Sequence, residues 1–142
     1  QSIYNRFFSP LRRLPANMLA RFTQIDYDRE IAMVAVKEHS GHEKMLGVAR
    51  IINTFEPGKA EFAVLTGDQW HGKGIGAKLL GRCLQIAKQR GLETIWGTVL
   101  AGNKQMLALG RKLNFKIKRA TDGSEFELTM DLRNISSEDL NQ

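Results

Sequence analysis

The sequence predicts an α/β domain with a mixed, mostly antiparallel sheet flanked by helices. Three apolar segments, residues 30–36, 45–55 and 60–66, are separated only by short turns, as is typical of successive antiparallel strands. A glycine-rich loop then leads into a segment with helical periodicity, after which strand and helix patterns alternate up to a closing hairpin. Because 142 residues suffice for one buried core, we expect a single domain over residues 1–132, followed by a polar, mobile tail over residues 133–142.

The first half of the chain contains two predicted helical pieces and the three predicted strands. Residues 2–24 have helical character, broken at Pro10, and the second piece restarts after Pro15, a residue that suits a first helical turn. The segment "SGHEK" (40–44) turns the chain between the first two strands, and "EPGK" (56–59) is a tight turn before the third.

The second half alternates helix and strand. Apolar residues recur at helical spacing from about 75 to 90, and Gly91 is expected to end this helix. Residues 93–100 form a strand candidate, and a second helix over 103–113 begins with an Asn cap. The remaining predicted features are a left-handed helix end at Asn114 and a hairpin turn at Asp122 and Gly123.

Composition limits the possible function classes. Hydrophobic residues make up 42% and charged residues 25% of the chain, as in ordinary globular proteins. The net charge of +6 comes from scattered basic residues without the basic, aromatic-rich run that follows a nucleic-acid backbone, so we expect no nucleic-acid partner. No apolar run approaches the roughly 18 residues of a membrane span, and the single cysteine, Cys83, suits a reducing cytoplasm. We therefore expect a cytoplasmic protein without a membrane partner and, because the first residue is Gln1, a fragment of a longer chain.

The loop in "DQWHGKGIGAKLL" (68–80) is the main functional signal, because glycines allow the backbone to approach an anion and a helix N-terminus directs N–H groups at it. A nucleotide P-loop is disfavoured because Gly74 stands where Ser or Thr would coordinate magnesium. A dinucleotide fold is disfavoured because the next strand ends near Leu100 rather than at an acidic residue. A turn without ligand remains the alternative, although three glycines at a helix start are costly for a turn alone.

A third interpretation fits better, because "HGKGIGAKLL" after an apolar strand resembles the acyl-CoA-binding motif Q/R-x-x-G-x-G/A of the GCN5-related N-acetyltransferase (GNAT) superfamily. The motif can start at Gln69 or at His71; the second register is preferred, with His71 replacing the usual Gln or Arg. More narrowly, "SIYNRFFSPL", "FTQIDYDREIAMVAV" and "AEFAVLTGDQWHGKGIGAKLL" resemble the acetyltransferase domain of bacterial Pat-type protein lysine acetyltransferases.

This resemblance implies a GNAT fold, acetyl-CoA as co-substrate without a metal, and a protein with an exposed lysine as acceptor. In Pat-type proteins the domain is often fused to an acyl-CoA-synthetase-like domain, so such a domain is a possible covalent partner in the full-length protein. The family's usual first strand has no counterpart before Gln1, and we expect it to be absent from this chain.

The resemblance also assigns cofactor-binding roles. It implies that the pantetheine lies along the third predicted strand, that the pyrophosphate lies on the loop backbone, and that an Asn side chain at the second helix start contacts the cofactor. The residues concerned are Val64, Leu65, Thr66, His71, Gly72, Lys73, Gly74, Ile75, Gly76, Ala77 and Asn103.

Glu61 matches the position of the Pat-type catalytic glutamate and is the candidate general base; the alternative is a solvent-facing residue of an alternating strand. Asp26 and Asp28, next to Glu30, are candidates for binding a basic substrate. Many family members carry a tyrosine that protonates the departing thiolate where this chain has Gly110. The resemblance therefore implies a thiolate that leaves unassisted or takes its proton from water.

Other chemistry-bearing residues are interpreted as structural. The pair His39 and His42 has metal-ligand spacing but no further ligand nearby, so we expect no metal site, and Cys83 belongs to an apolar helical stripe. The predicted function is acetyl transfer from acetyl-CoA directly to an amine, preferably a protein lysine. The alternatives are a small-molecule amine as acceptor, or a non-catalytic module that senses acyl-CoA.

Overall fold

The computed structural model describes residues 18–23, 30–66 and 74–135. Within them, the chain forms one mixed sheet of seven strands with two α-helices, which confirms the predicted fold class. The elements are β1 (Met18–Thr23), β2 (Glu30–His39), β3 (His42–Asn53), β4 (Lys59–Thr66), α1 (Ile75–Gln89), β5 (Thr94–Leu100), α2 (Lys104–Lys112), β6 (Lys116–Arg119) and β7 (Glu125–Asp131). The strands are ordered β1-β2-β3-β4-β5-β7-β6, and all neighbours are antiparallel except β4 and β5.

Strand β1 corrects the predicted second helix. Its six residues pair with β2, from Met18 opposite Lys37 to Thr23 opposite Ala32, where we expected helix. Leu and Ala in this segment favour a helix, but the backbone groups along the edge of β2 supply hydrogen-bond partners that local propensity does not register. The other residues of the predicted helical pieces lie outside the described residues.

The first hairpin has a tighter turn than the sequence indicated. Ser40 and Gly41 have φ of 53° and 81°, and the strands pair up to His39 opposite His42. Two central residues with positive φ form the turn whose twist matches the flanking strands. Strand β3 therefore starts three residues before the predicted segment 45–55, because its polar first residues are exposed strand residues and not part of the turn.

Helix α1 covers the middle of the sheet with its apolar face. Its largest fully buried residues, Ile75, Leu79, Leu80 and Leu84, belong to one core with the inner side chains of the strands. The helix ends as predicted: Gly91 has φ of 87°, and the Leu92 N–H donates to the carbonyl of Ala87 at 3.0 Å, the pattern of a glycine-capped C-terminus.

The predicted second half is confirmed. The Asn103 side chain caps α2 by accepting a hydrogen bond from the Met106 N–H at 3.2 Å, and Asn114 has φ of 66° after the helix. Strands β6 and β7 form the closing hairpin. Beyond β7 the chain forms a short 3₁₀ turn, Leu132–Asn134, and Ile135 still packs against the core. Residues 136–142 of the predicted tail lie outside the described residues.

Candidate functional site

Strands β4 and β5 separate soon after they meet. Their parallel pairing extends only from Lys59 opposite Thr94 to Glu61 opposite Trp96. On its other edge, β4 stays paired with β3 as far as Thr66. The last part of β4 therefore borders an opening in the sheet.

A groove of about 490 Å³ lies at this opening, between the end of β4, the start of α1 and one face of α2. Its lining combines backbone-rich glycine positions with apolar side chains and a few polar ones. The lining residues are Val64, Leu65, Thr66, Gly74, Ile75, Gly76, Ala77, Asn103, Gln105, Met106, Ala108, Leu109 and Lys112.

The structure brings together every predicted cofactor-binding residue that it describes. Those on β4, those from Gly74 to Ala77 and Asn103 all line the groove, although they come from three separate elements. His71, Gly72 and Lys73 of the loop, and the predicted substrate residues Asp26 and Asp28, lie outside the described residues.

The start of α1 has the electrostatic properties of an anion site. Gly74 is the N-cap residue, with φ of 78°, and no side chain caps the helix there. The first turn carries no acidic residue that would compete with a bound anion. Because the N–H groups of a first turn have no partner inside the helix and the helix dipole is positive at this end, a negative group is favoured beside Gly74.

Gly76 keeps the groove walls close together. A Cβ at this position would lie 2.9 Å from Leu109 Cδ1 and 3.3 Å from Val64 Cγ1. Any side chain here would push α1 away from α2 and β4 or fill the space between them. Glycine is therefore favoured by close approach rather than by backbone conformation, and a larger residue would require the side chains of Leu109 and Val64 to shift.

Sequence reasoning missed the wall that α2 contributes. Met106 and Leu109 supply an apolar surface, and Lys112 Nζ lies 3.8 Å from the point that a Cβ on Gly74 would occupy. Residues 105, 108, 109 and 112 follow the Asn103 cap at helical spacing and therefore share one helix face. This spacing was sufficient to predict that the helix contributes a wall to the site. The missed lysine places a positive charge beside the anion-favouring start of α1.

Glu61 lies on the other face of the sheet from the two helices. It is exposed between the buried residues Ala60 and Phe62, whose side chains face the core. Its backbone pairs with Ile52 on one side and Trp96 on the other, and Trp96 is the last residue paired with β4 before the strands separate. The carboxylate therefore stands at the start of the opening, on the face opposite the core.

Gly110, the position where many family members carry tyrosine, faces the core and not the groove. A Cβ there would lie 2.5 Å from Leu128 Cδ2, closer than packed atoms can approach. Since Leu128 is fully buried, a larger residue at 110 would require β7 or α2 to move. Glycine at position 110 is thus explained by its close packing against the side chain of Leu128.

The described residues contain few other candidates for chemistry. Cys83 is fully buried, its Sγ lies 3.5 Å from the Ala49 carbonyl oxygen, and burial raises the pKa of its thiol far above the usual range, so it is a core residue as predicted. Within 18–23, 30–66 and 74–135, no three His, Cys, Asp or Glu side chains converge as metal ligands, and no helix is both long and apolar enough to span a membrane.

The fold and the groove define a class of protein. A mixed sheet that opens between two parallel strands, with a glycine-started helix at the opening, is suited to an extended ligand that carries an anionic group. Residues 1–115 match the model of the acetyltransferase (GNAT) family, and the chain belongs to this family. Acetyl-CoA is the co-substrate of the family.

One curated protein and two solved structures are similar to this chain. The chain is 28% identical over 119 residues to acetyltransferase PA5475 of Pseudomonas aeruginosa. The aligned region covers 84% of this chain and 64% of that protein. The fold of the chain is similar to the GNAT domain of PAT from S. lividans, with a TM-score of 0.64 and 23% identity over 78% of this chain and 65% of that one. A cAMP-binding acyltransferase from Mycobacterium smegmatis gives a TM-score of 0.66 and 23% identity, over 80% of this chain but only 34% of that protein. The chain therefore spans less than two thirds of each of these relatives.

Proposed function

We propose that this chain binds acetyl-CoA in the groove and catalyses direct transfer of the acetyl group to an amine, preferably the side chain of a protein lysine. The observation that carries the proposal is the separation of β4 from β5 immediately after Glu61 and Trp96. It joins a groove on the core side of the sheet to a carboxylate on the opposite side. Acetyl transfer needs an amine that attacks the carbonyl carbon of the thioester and a base within reach of the proton that the amine loses.

The groove supports the binding half of this reaction. In the proposed complex, pantetheine lies along Val64, Leu65 and Thr66 like an added strand, and the pyrophosphate lies on the backbone from Gly72 to Ala77. His71 and Lys73 belong to the same loop and are assigned to this site with it. Asn103 caps α2 and borders the same groove, so its amide is available to the cofactor. A backbone N–H of β4 is the proposed donor to the oxyanion.

Glu61 is the proposed general base. A lysine amine has a pKa of about 10.4 and is almost entirely protonated at neutral pH, so it must lose a proton before it attacks. The amine approaches from the outer face, where the exposed carboxylate accepts its proton directly or through one water. The thiolate leaves with a proton from water, which is chemically acceptable because thiols have a pKa of about 8.5.

The outer face also supports a basic acceptor. Glu30, Ile52 and Glu61 are neighbours across β2, β3 and β4. The Glu30 side chain is only 12% exposed and is paired with Arg50, so Glu61 is the residue of this row that presents an exposed carboxylate. We assign Asp26 and Asp28, which precede Glu30 in the chain, to binding the basic acceptor. Their negative charges would attract the basic segments that surround exposed lysines. We also propose that the whole protein is cytoplasmic and that it carries a fused acyl-CoA-synthetase-like domain.

The acceptor is tested by incubating the protein with acetyl-CoA and cell extract and identifying the acetylated products by mass spectrometry. We expect acetylated protein lysines. We also expect that Asp26→Asn combined with Asp28→Asn lowers kcat/KM for a protein substrate, with a deficit that shrinks at high salt, while acetyl-CoA binding is unchanged. Products restricted to polyamines or free amino acids would favour the small-amine alternative, and binding without any turnover would favour a sensing module.

Lys112 gives a separate test of the cofactor orientation. If the pyrophosphate lies at the start of α1, the ammonium group beside Gly74 stabilises it, and Lys112→Ala should raise KM for acetyl-CoA about three- to tenfold, a modest effect because the side chain is exposed. Acetyl-pantetheine, which lacks the phosphates, should be used equally well by both forms. The matched control is Arg111→Ala, an exposed cation on the same helix that does not line the groove. An equal loss for both donors would contradict this orientation.

A further inference from the structure

Phe62 lies on the core side of β4, beside the groove although it is not among the lining residues. This residue directly follows Glu61, at the point where β4 and β5 stop pairing, and only 6% of its surface is exposed. Its ring lies over Gly97 of β5: a Cβ on Gly97 would be 2.7 Å from Phe62 Cε2 and 2.9 Å from Cδ2 and Cζ. The ring therefore reaches from β4 to β5 on the core side of the sheet, where the two strands begin to separate. Val64, two residues further along the same face of β4, already lines the groove.

The Phe62 ring is held in this place from behind. Its centroid lies 5.1 Å from that of the Phe115 ring, at an interplanar angle of 54°, and Phe115 is equally buried. Tilted aromatic pairs of this kind are favourable beyond their simple burial. The ring cannot rotate towards the core without displacing Phe115, and it cannot move towards β5 because Gly97 is already in contact.

We propose that Phe62 limits the acyl group of the thioester to a short chain, so that acetyl is accepted and four-carbon chains are rejected. The inference rests on the proposed binding of acetyl-CoA along β4. A pantetheine that follows Val64 towards Glu61 brings its thioester to the point where the strands separate. The acyl chain then points at the space between β4 and β5 that the Phe62 ring occupies. Each further methylene must displace a ring that is fixed on both sides.

The test compares acetyl-, propionyl- and butyryl-CoA with wild type, Phe62→Leu and Phe62→Ala. Binding is measured by calorimetry without acceptor, and turnover is measured with one amine acceptor. For wild type we expect kcat/KM to fall by about 10–200-fold from acetyl to propionyl, the range for one added methylene in an apolar pocket, and the acetyl-to-butyryl ratio to be larger still. Both variants should reduce this ratio at least about tenfold, and the gain should appear in butyryl-CoA affinity as well as in turnover.

A matched control separates this role from a general loosening of the core. Phe126→Leu truncates another aromatic residue packed against the same core, on β7 and away from the point where β4 and β5 separate. It should leave the acetyl-to-butyryl ratio unchanged. Phe62→Leu keeps most of the side-chain volume, so the comparison stands if the alanine variant does not fold.

The outcomes are distinct. An unchanged ratio in Phe62→Leu, or wild type that binds and uses butyryl-CoA as well as acetyl-CoA, would overturn the role of Phe62 while leaving the proposed function intact. Wild type that binds no acyl-CoA at all would overturn the proposed function, and the inference with it.

Discussion

Glu61→Gln is expected to lower turnover by roughly 10²–10⁴ while acetyl-CoA affinity stays within about a few fold, because glutamine keeps the size of the side chain but cannot accept the amine proton. The residue is exposed and lies outside the groove, so its replacement should not disturb the core or the cofactor. The measurement is a steady-state assay with an amine acceptor, together with calorimetry of acetyl-CoA binding. Raising the pH should restore part of the lost rate, since a larger fraction of the acceptor amine is then already deprotonated.

The control for this experiment is Glu38→Gln. Glu38 is another exposed glutamate of the same sheet, but it lies beside the Ser40-Gly41 turn at the end of β2. It should have normal turnover. A Glu61→Gln variant with near-normal rates at neutral pH would make Glu61 a plain strand residue and direct the search for the base to Asp28.

Gly74→Asp should abolish detectable acetyl-CoA binding without unfolding the protein. The substitution places a carboxylate at the start of α1, beside Lys112 and where the pyrophosphate is proposed to lie. Repulsion and the loss of the lysine to the new carboxylate should together weaken binding by several kcal/mol, or on the order of 10²-fold or more. The folded state should tolerate the change, because Asp is a favoured N-cap residue and visits the left-handed conformation more readily than most residues.

The matched control is Gly91→Asp. Gly91 also has a positive φ, of 87°, but it is exposed at the other end of α1 with nothing within 4 Å of an added Cβ. It carries the same backbone strain without any contact to the groove. Thermal shift with ligand reads out both variants: acetyl-CoA should stabilise wild type and Gly91→Asp but not Gly74→Asp, and NAD and ATP should stabilise wild type much less. Equal stabilisation by NAD would contradict an acyl-CoA site.

The position of Gly110 bears on the chemistry in a different way. The resemblance implies that many relatives carry a tyrosine at this position, and in this chain the side chain of Leu128 packs against the glycine. Restoring an aromatic residue at 110 would therefore strain the contact between α2 and β7 before it could reach a thiolate. This agrees with a mechanism in which water supplies the last proton, and it makes Gly110→Tyr an unsuitable route to a faster enzyme.

The error at β1 and the omission of Lys112 have a common origin. Residues 18–23 carry local helical propensity, and their strand conformation depends on hydrogen bonds to β2. Nothing in the neighbouring sequence distinguishes Lys112 from the other lysines of the chain. It becomes part of the site only because α2 packs beside the start of α1. In both cases the deciding contact joins segments that are distant along the chain.

The sequence by itself determined the order of strands and helices from β2 onward, the helix that follows the glycine-rich loop, its glycine stop and the Asn103 cap. These features depend on periodicity, glycine conformation and capping. Each of them acts over a few neighbouring residues, so it can be predicted from a short stretch of sequence. Only the tertiary structure decided where β4 and β5 separate, that Lys112 stands beside Gly74, and that the Phe62 ring packs over Gly97. Each of these depends on packing between side chains whose partners are set by the whole sheet, because a buried ring or a close glycine contact is defined by its neighbours in space.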